Sequence, residues 1–329
     1  MTNFLQGRAP DVLRALLPVA GLLGVAFGIF AYRPNAMSYV GFNLLLTYAV
    51  PVALAAYAQM FIIAAGDIDL SIGAFISLVS CIVSVVLPTN PLFGTAILAG
   101  LILAYAAIGA LIHLRGLPSI VVTLGFSFIW LGVAVLILPR PGGLAPEWLS
   151  AAMRISTPVA PLPVWILAAL GVIAYALLQR WSFGTVLRGV GGNPKAVARA
   201  GWSVLRAKAA LYGIAGLFGV LSGLALTGIT TSGDANLAPN YTLLSVAAVI
   251  LGGGEFVGGK VSPVGTVFGA VTLVLMNSLL TFMNVNSDWQ PAAQGLILIV
   301  VLAARALLSS LGTTKAGRAE FTFTAGQRA

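Results

Sequence analysis

The feature that most constrains the fold of this chain is the recurrence of long apolar runs separated by short polar intervals. Hydrophobic residues make up 59% of its 329 residues, and only 8% are charged. A soluble domain carries about 25% charged residues, so this chain lacks the charge needed to cover a water-exposed surface. A helix needs about 20 apolar residues to cross the hydrocarbon core of a bilayer. The sequence therefore predicts an all-α, polytopic transmembrane helix bundle.

Ten apolar runs are candidate membrane spans. They lie near 15–32, 43–65, 71–88, 92–112, 118–138, 162–179, 208–230, 242–254, 264–283 and 291–309. The first is interpreted as a span rather than a signal peptide, because no small-residue cleavage site with polar sequence follows it. The eighth is short and ends in a cluster of glycines. The sequence therefore leaves open whether that run is broken or re-entrant.

The distribution of basic residues predicts the topology, since Lys and Arg gather in cytoplasmic connections. With a cytoplasmic N-terminus, fourteen basic residues fall on the cytoplasmic side and three, Arg33, Arg140 and Arg154, on the other. We therefore expect about ten spans with both termini cytoplasmic, in a single membrane domain covering 1–329. A cytoplasmic loop at about 180–208 and a disordered or peripheral tail at about 311–329 complete this prediction.

The remaining composition excludes several classes of function. The net charge of +9 does not indicate nucleic-acid binding, because the basic residues do not form the dense basic face that such binding needs. Cys81 and His113 are the single cysteine and the single histidine, so we predict no metal site. The sequence shows no nucleophile–base set or haem ligand pair, which argues against a membrane enzyme.

Carboxylates occur between the second and third candidate spans, in the segment Gly66-Asp67-Ile68-Asp69-Leu70-Ser71-Ile72-Gly73. A carboxylate at membrane depth costs about 3 kcal/mol or more unless it is paired or hydrated, so Asp67 and Asp69 are functional candidates. Asp69 and Ser71 also suit a helix start, where their oxygens accept from free backbone N–H groups. Two compatible interpretations stay open: a cap for the third span, and a helix break that lines a transport path.

The long loop at 180–208 contains a second motif, from Gly191 to Trp202. Asn193 suits the N-cap of a helix, Pro194 its first residue and Gly201 its stop. A helix this short is not stable alone in water, so it must be docked on another surface. That surface is either the chain's own spans or a cytoplasmic partner.

The run from Leu251 to Lys260 is rich in glycine but is not predicted to bind phosphate, because no Gly-Lys-Ser/Thr follows it. We expect a helix break there and close helix packing nearby, since small residues let helices approach within a bilayer. The glycines assigned to these roles are Gly252, Gly253, Gly258, Gly259, Gly265 and Gly269.

Taken in order, these motifs resemble those of the permease subunits of ribose/xylose/arabinose-type ABC sugar importers. The pattern Gly-Gly-Ile-Asp-Leu-Ser-Val-Gly of that family matches 66–73 except at Asp67 and Ile72, and Gly-Gly-Asn-x-x-Ala-Ala-x-x-Ser-Gly is similar to 191–201. A later glycine-rich pattern resembles 250–270. The segment 117–125 and the positions Asn277, Trp289 and Gln290 resemble further family segments, so the similarity covers nearly the whole chain.

The resemblance implies a transport subunit without ATPase activity or a cofactor of its own, located in the bacterial inner membrane. ATP and Mg would be bound by a partner ABC ATPase. A periplasmic sugar-binding protein would deliver the substrate, and a second permease chain, identical or related, would complete the path. The residues predicted to dock the ATPase are Gly192, Asn193, Pro194, Lys195, Ala196, Arg199 and Gly201.

Candidate path-lining residues are polar groups at lipid depth, which usually face the interior of a bundle. They are Asp67, Asp69, Ser71, Thr123, Asn277 and Gln290. In two places the chain departs from the family. Asp67 replaces a glycine, and Tyr241-Thr242-Leu243-Leu244 replaces a frequent Tyr-Glu-Leu-Asp. We therefore hypothesise that the substrate differs from ribose and is a polyol or a deoxysugar.

Two alternative functions stay open at this point. One is an ABC permease for branched-chain amino acids or nucleosides. The other is a secondary transporter driven by protons or sodium, in which Asp67 and Asp69 would be the ion site. Against the second, the spans carry few other acids, and no inverted repeat is visible in the sequence.

Overall fold

The computed structural model describes residues 9–256 and 259–286, together with positions 289, 292, 293, 295, 296, 299 and 303. Apart from one isolated bridge between Gly142 and Gly233, the regular structure of this part of the chain is helical. The α-helices are α1 Ala9–Tyr32, α2 Tyr39–Thr47, α3 Ala49–Ala64, α4 Ile72–Thr89, α5 Pro91–Arg115, α6 Ser119–Ile137, α7 Glu147–Met153, α8 Leu162–Tyr175, α9 Ser182–Gly192, α10 Pro194–Arg199, α11 Val204–Thr230, α12 Tyr241–Leu251 and α13 Pro263–Phe282. A 3₁₀ turn, Pro34–Met37, precedes α2, and a π-helical turn, Ala176–Arg180, extends α8.

Among the described residues, seven helices are long and apolar enough to cross a membrane. They are Tyr39–Ala64 (α2 with α3), Ile72–Thr89, Pro91–Arg115, Ser119–Ile137, Leu162–Arg180, Val204–Thr230 and Pro263–Phe282. Two shorter apolar helices, Pro18–Tyr32 and Tyr241–Leu251, fall at the first and eighth candidate spans. The predicted all-helical, multi-pass architecture is therefore confirmed. The tenth candidate span (291–309) and the tail (311–329) lie largely or wholly outside the described residues, so the count of ten and the cytoplasmic termini stay predictions.

Connections predicted to share a side of the membrane do lie together. At one end of the bundle, Gly66 packs on Gly191 and Asp67 pairs with Lys208. At the opposite end, Gly142 and Gly233 exchange backbone hydrogen bonds. We call the first of these ends the basic end, because the following residues lie on its connections or adjoining helix ends: Arg115, Arg180, Arg188, Lys195, Arg199, Arg206, Lys208 and Lys260.

Helix α3 forms the centre of the bundle, and all 16 of its residues are buried. A helix that is apolar all round belongs inside a protein or against lipid, and here α11, α12 and α13 pack around it, with smaller contacts from α8 and α9. Helix α6 is peripheral. Only Thr123, Trp130 and Ala134 are buried among its residues, so its remaining apolar surface is available to lipid.

Glycines set the close approach of α11 to α4. A Cβ atom built on Gly223 would lie 2.5 Å from Cγ1 of Val79, and one on Gly219 would lie 2.8 Å from the Phe75 ring. Larger residues would force the two helices apart. The packing interpretation of glycines in this span therefore has a direct steric basis.

Helix α12 is short because the chain before it runs non-helically into the bundle alongside α4. Gly233 lies against Ser84, the Ala238 N–H donates to Ser77 Oγ at 3.0 Å, and Thr242 Oγ1 accepts from the Gly73 N–H at 3.0 Å. The eleven steps from Gly73 to Ser84 rise about 16 Å along a helix. The eighth span is therefore broken on its N-terminal side, before the glycine cluster is reached. Irregular backbone is tolerated at such depth when protein groups pair it.

We predict that Gly223→Leu destabilises the bundle by about 1–3 kcal/mol or more, because the added side chain overlaps Val79 where α11 crosses α4. The midpoint of thermal aggregation of the detergent-solubilised protein measures the effect. Gly100→Leu is the matched control, since no described atom lies within 4 Å of a Cβ built there on α5. Equal midpoints for the two variants would contradict this account of the packing.

Candidate functional site

The connection between α3 and α4, residues 65–71, carries both predicted carboxylates at the basic end. Helix α3 ends at Ala64, and Gly66 then takes a left-handed conformation with φ of 79°. This conformation favours glycine and turns the chain away from the helix axis. The next residues run without regular structure until α4 begins at Ile72.

Asp69 is the buried centre of this connection, with 1% of its surface exposed. Its Oδ1 accepts from the N–H and the hydroxyl of Ser71, both at 2.7 Å, and its Oδ2 accepts from the Tyr105 hydroxyl at 2.8 Å. Burial raises the pKa of the Asp69 carboxyl above its ordinary value, while the hydrogen bonds from Ser71 and Tyr105 lower it. The carboxylate thus accepts from the N–H of Ser71, the N-cap residue of α4, whereas the Ser71 side chain makes no capping bond, so only the part of the capping interpretation that concerns Asp69 is supported.

Side chains from two other spans pair the backbone of the connection. The Gln59 carboxamide is assigned with its nitrogen toward the Asp69 carbonyl and its oxygen toward the Asp69 N–H. In this orientation it donates to the carbonyl and accepts from the N–H, both at 3.1 Å. Thr123 Oγ1 accepts from the Leu70 N–H at 3.0 Å, and Ser119 Oγ accepts from the Ile68 N–H at 3.3 Å. Because buried backbone groups are costly when unpaired, these contacts stabilise the non-helical segment.

Asp67 connects the same segment to α11. Its Oδ2 lies 2.7 Å from the Lys208 ammonium and accepts from the Tyr212 hydroxyl at 3.0 Å. The side chains of Asp67 and Lys208 are 11% and 13% exposed, so solvent screens this ion pair less than one on the surface. The sequence analysis did not anticipate Lys208 and Tyr212 as partners, because 141 and 145 residues separate them from Asp67.

The predicted short helix in the loop at the basic end is confirmed. Helix α10 starts at Pro194, the Asn193 side chain accepts from the Ala196 N–H at 3.0 Å, and Gly201 is left-handed with φ of 82°. Val197 is buried, whereas the residues predicted to dock the ATPase are exposed. We call 182–203 the docking segment, after the role that the sequence predicts for it. It rests on the chain's own spans along one edge and is open on the other.

The glycine-rich region joins α12 to α13 through a close crossing and a turn. The backbones of Gly252 and Gly265 are in contact, and Gly269 lies against Ala248. Gly253 and Gly259 both have positive φ, which a turn at these positions requires. Gly258 lies outside the described residues.

A cavity of about 520 Å³ lies on the other face of α12. It is lined by Ala36, Gly41, Leu44, Leu45, Tyr48, Val52, Tyr241, Leu244, Val274, Asn277, Ser278, Thr281 and Phe282. These residues include hydroxyl and amide groups but no charged side chain among the described positions. Thr242 faces α4, whereas Tyr241 and Leu244 face the cavity. Helix α12 therefore lies between the cavity and the first turn of α4, which follows the connection at 65–71.

The structure therefore divides the predicted path-lining residues into two groups. Asp67, Asp69, Ser71 and Thr123 belong to the hydrogen-bonded connection at the basic end. Asn277 lines the cavity, and Gln290 lies outside the described residues. The sequence reasoning missed Gln59, although a glutamine inside an otherwise apolar span is a readable signal for a buried polar contact.

We predict that Tyr105→Phe lowers the free energy of unfolding by about 1–3 kcal/mol, because it removes a hydrogen-bond donor from the buried Asp69 carboxylate. Thermal midpoints in detergent check this result. Tyr32→Phe is the control, since Tyr32 is exposed at the end of α1. If Tyr105→Phe melted at the wild-type temperature, the Tyr105–Asp69 hydrogen bond would not support the connection.

The sequence model of a family described as "Branched-chain amino acid transport system / permease component" matches residues 41–302. The ribose import permease RbsC of Haemophilus influenzae is 25% identical, covering 95% of this chain and 98% of its own, and that of Bacillus subtilis is 28% identical, covering 88% and 92%. The probable ABC transporter permease YphD of Escherichia coli is 30% identical, covering 91% and 92%. No solved structure matches the chain. The chain therefore belongs to this family of ABC-importer permeases, as its motifs predict.

Proposed function

We propose that this chain is the membrane-spanning permease subunit of an ATP-driven importer in the bacterial inner membrane, moving a sugar or a polyol. The observation that carries the proposal is the end-to-end similarity to ribose import permeases, which spans 95% of this chain in one case. In this proposal a periplasmic binding protein delivers the substrate to the opposite end of the bundle. A partner ATPase binds ATP and Mg.

The docking segment has the properties of an ATPase contact. It is exposed over Gly192–Ala196 and carries basic groups at Lys195 and Arg199. It is also fixed at one edge, where Val197 is buried and Gly191 packs on Gly66. Because the segment is attached to the spans, a partner that pushed on it would also push on the spans.

The cavity beside α12 suits half of a translocation path. Its lining combines apolar side chains with the polar groups of Tyr48, Tyr241, Asn277 and Ser278. Such a surface can contact the hydroxyl groups and the carbon face of a neutral polyhydroxy compound. In our proposal a second permease chain, identical or related, completes the path by covering the open side.

The two departures from the family pattern differ in their placement. Leu244 lines the cavity, where a family member often carries an acid, so the cavity floor is less polar here. Asp67 instead pairs with Lys208 at the basic end. A less polar lining supports the deoxysugar, which has fewer hydroxyl groups to pair, whereas Asp67 lies away from the cavity and supports neither a deoxysugar nor a polyol.

The mechanism that we propose is alternating access without covalent chemistry in this chain. Closure of the ATPase on ATP displaces the docking segment and re-orients the spans around the cavity. The cavity then opens in turn to the outside and to the cytoplasm. Asn277 would contact substrate directly. Asp69, Ser71 and Thr123 would instead hold the connection at the basic end.

The test is uptake of radiolabelled pentoses, deoxysugars and polyols by proteoliposomes that hold the permease, its cognate ATPase and its binding protein. We expect uptake that requires ATP hydrolysis and is unaffected by a protonophore. Uptake abolished by the protonophore would favour an ion-coupled transporter. Uptake of branched-chain amino acids or nucleosides in place of sugars would instead indicate an ABC permease for those compounds.

The same vesicles test the cavity. Asn277→Leu should lower sugar uptake about ten-fold or more, because an apolar group of similar size cannot pair a substrate hydroxyl. Thr95→Val is the control, since Thr95 is exposed on α5 and donates to the Pro91 carbonyl of its own helix. Undiminished uptake by Asn277→Leu would place the path elsewhere.

A second prediction concerns the docking segment. The double variant Lys195→Glu/Arg199→Glu should lose co-purification with the ATPase, most clearly at low ionic strength, where charge repulsion is least screened. Arg140→Glu/Arg154→Glu carries the same charge change at the opposite end of the bundle and should keep the ATPase bound. Affinity purification through a tag on the permease measures both outcomes. Equal recovery of the ATPase would disprove docking at α10.

A further inference from the structure

The connection at 65–71 contacts the docking segment without any intervening side chain. A Cβ atom on Gly191 would lie 2.8 Å from the Gly66 nitrogen and would overlap the Ala64 carbonyl oxygen. Gly259 packs at the same place, against the backbones of Arg188 and Ala64. Since backbone meets backbone here, the end of α9 cannot shift toward α3 without displacing the connection.

At its other end the connection continues into contact with α12. The Gly73 N–H, in the first turn of α4, donates to Thr242 Oγ1 at 3.0 Å. A Cβ atom on Gly73 would lie 2.5 Å from the Ala238 carbonyl oxygen, so this contact is also close-packed. On the same short helix, Tyr241 and Leu244 line the cavity.

Between these two contacts the connection is tied on three sides. Gln59 pairs the backbone of Asp69, and Tyr105 donates to its carboxylate. Asp67 forms the ion pair with Lys208. Such a network favours movement of the segment as a unit over local deformation, because any partial opening leaves buried polar groups unpaired.

We propose that residues 66–73 transmit movement of the docking segment to the cavity, and that Thr242 is the positioning residue that receives it. The transmission rests on the proposed function, which assigns ATPase binding to the docking segment and substrate binding to the cavity. Residues 66–73 join these two sites. A displacement at Gly191 shifts 66–73, and the Gly73–Thr242 hydrogen bond then turns α12 and its cavity-lining side chains.

A label at the cavity rim tests the transmission. Thr281 is exposed beside the cavity, and Cys81 is the single natural cysteine, so Thr281→Cys in a Cys81→Ala background accepts one bimane fluorophore. The complex with the ATPase is then trapped with ATP and vanadate. We expect a shift in bimane emission that disappears in Thr242→Val and returns in Thr242→Ser, which keeps the hydroxyl. ATP hydrolysed per sugar imported should rise about five-fold or more in Thr242→Val.

Ser245→Ala is the matched control. Ser245 is buried one turn further along α12 and donates to the Thr242 carbonyl within its own helix. Its removal should leave both the emission shift and the ATP cost unchanged, whereas a general loss of α12 stability would affect both variants. If Thr242→Val does not assemble, Asp67→Asn takes its place, because it weakens the ion pair of the connection. The emission shift should then disappear and the ATP hydrolysed per sugar should rise in Asp67→Asn.

An emission shift and an ATP cost in Thr242→Val equal to wild type would overturn the inference. A loss in Thr242→Val that Thr242→Ser fails to restore would overturn it as well, because the hydroxyl would then not be the contact that matters. Wild-type vesicles that import no sugar with ATP would refute the proposed function instead. The label response needs only the assembled complex, so it decides the transmission separately.

Discussion

In a bilayer the pairing of backbone polar groups governs every departure from helix, and the part of the chain that the structure describes departs from helix inside the bundle at 65–71 and at 231–240. At 65–71 the missing intrahelical bonds are replaced by the side chains of Gln59, Ser119 and Thr123. At 231–240 one replacement comes from Ser77 on α4. Each irregular segment is therefore stabilised by spans that are distant in sequence. The same hydrogen bonds fix the positions of those spans.

The same constraint explains where the acids are. Asp69 is fully occupied by Ser71 and Tyr105, and Asp67 by Lys208 and Tyr212. Neither carboxylate lines the cavity, whose described lining is uncharged. A neutral cavity suits a neutral cargo, since a buried charge facing such a substrate would be desolvated without compensation. The contacts of Asp67 and Asp69 therefore lie within the basic end, an arrangement that supports the proposed ATP-driven importer over an ion-coupled transporter.

Much of the local structure was predictable from the sequence, because local signals determine it. Apolar runs located the seven long apolar helices and the two shorter ones of the described residues, and the Asn193 cap, Pro194 and Gly201 bounded a short helix. The partners of Asp67 were not predictable, since Lys208 becomes its neighbour only through the packing of α11 on α3 and α5. The cavity was equally hidden. Its lining comes from four helices and a turn, and none of them carries a motif that marks a shared surface.

The break before α12 joins these observations. Had residues 231–240 been helical, α12 would cross the membrane as an ordinary span, tied to its neighbours along its length. Because they form bends and turns instead, α12 is a helix of 11 residues that begins inside the bundle. A half-length helix has fewer contacts to break when it tilts, and small re-orientations at packed interfaces are how such elements switch. Close packing at Gly252 and Gly265 holds its far end against α13. The other end is close-packed as well, where Gly73 contacts Ala238 and Thr242, so in the proposed transmission a movement of 66–73 would reach α12 at the end that borders the cavity.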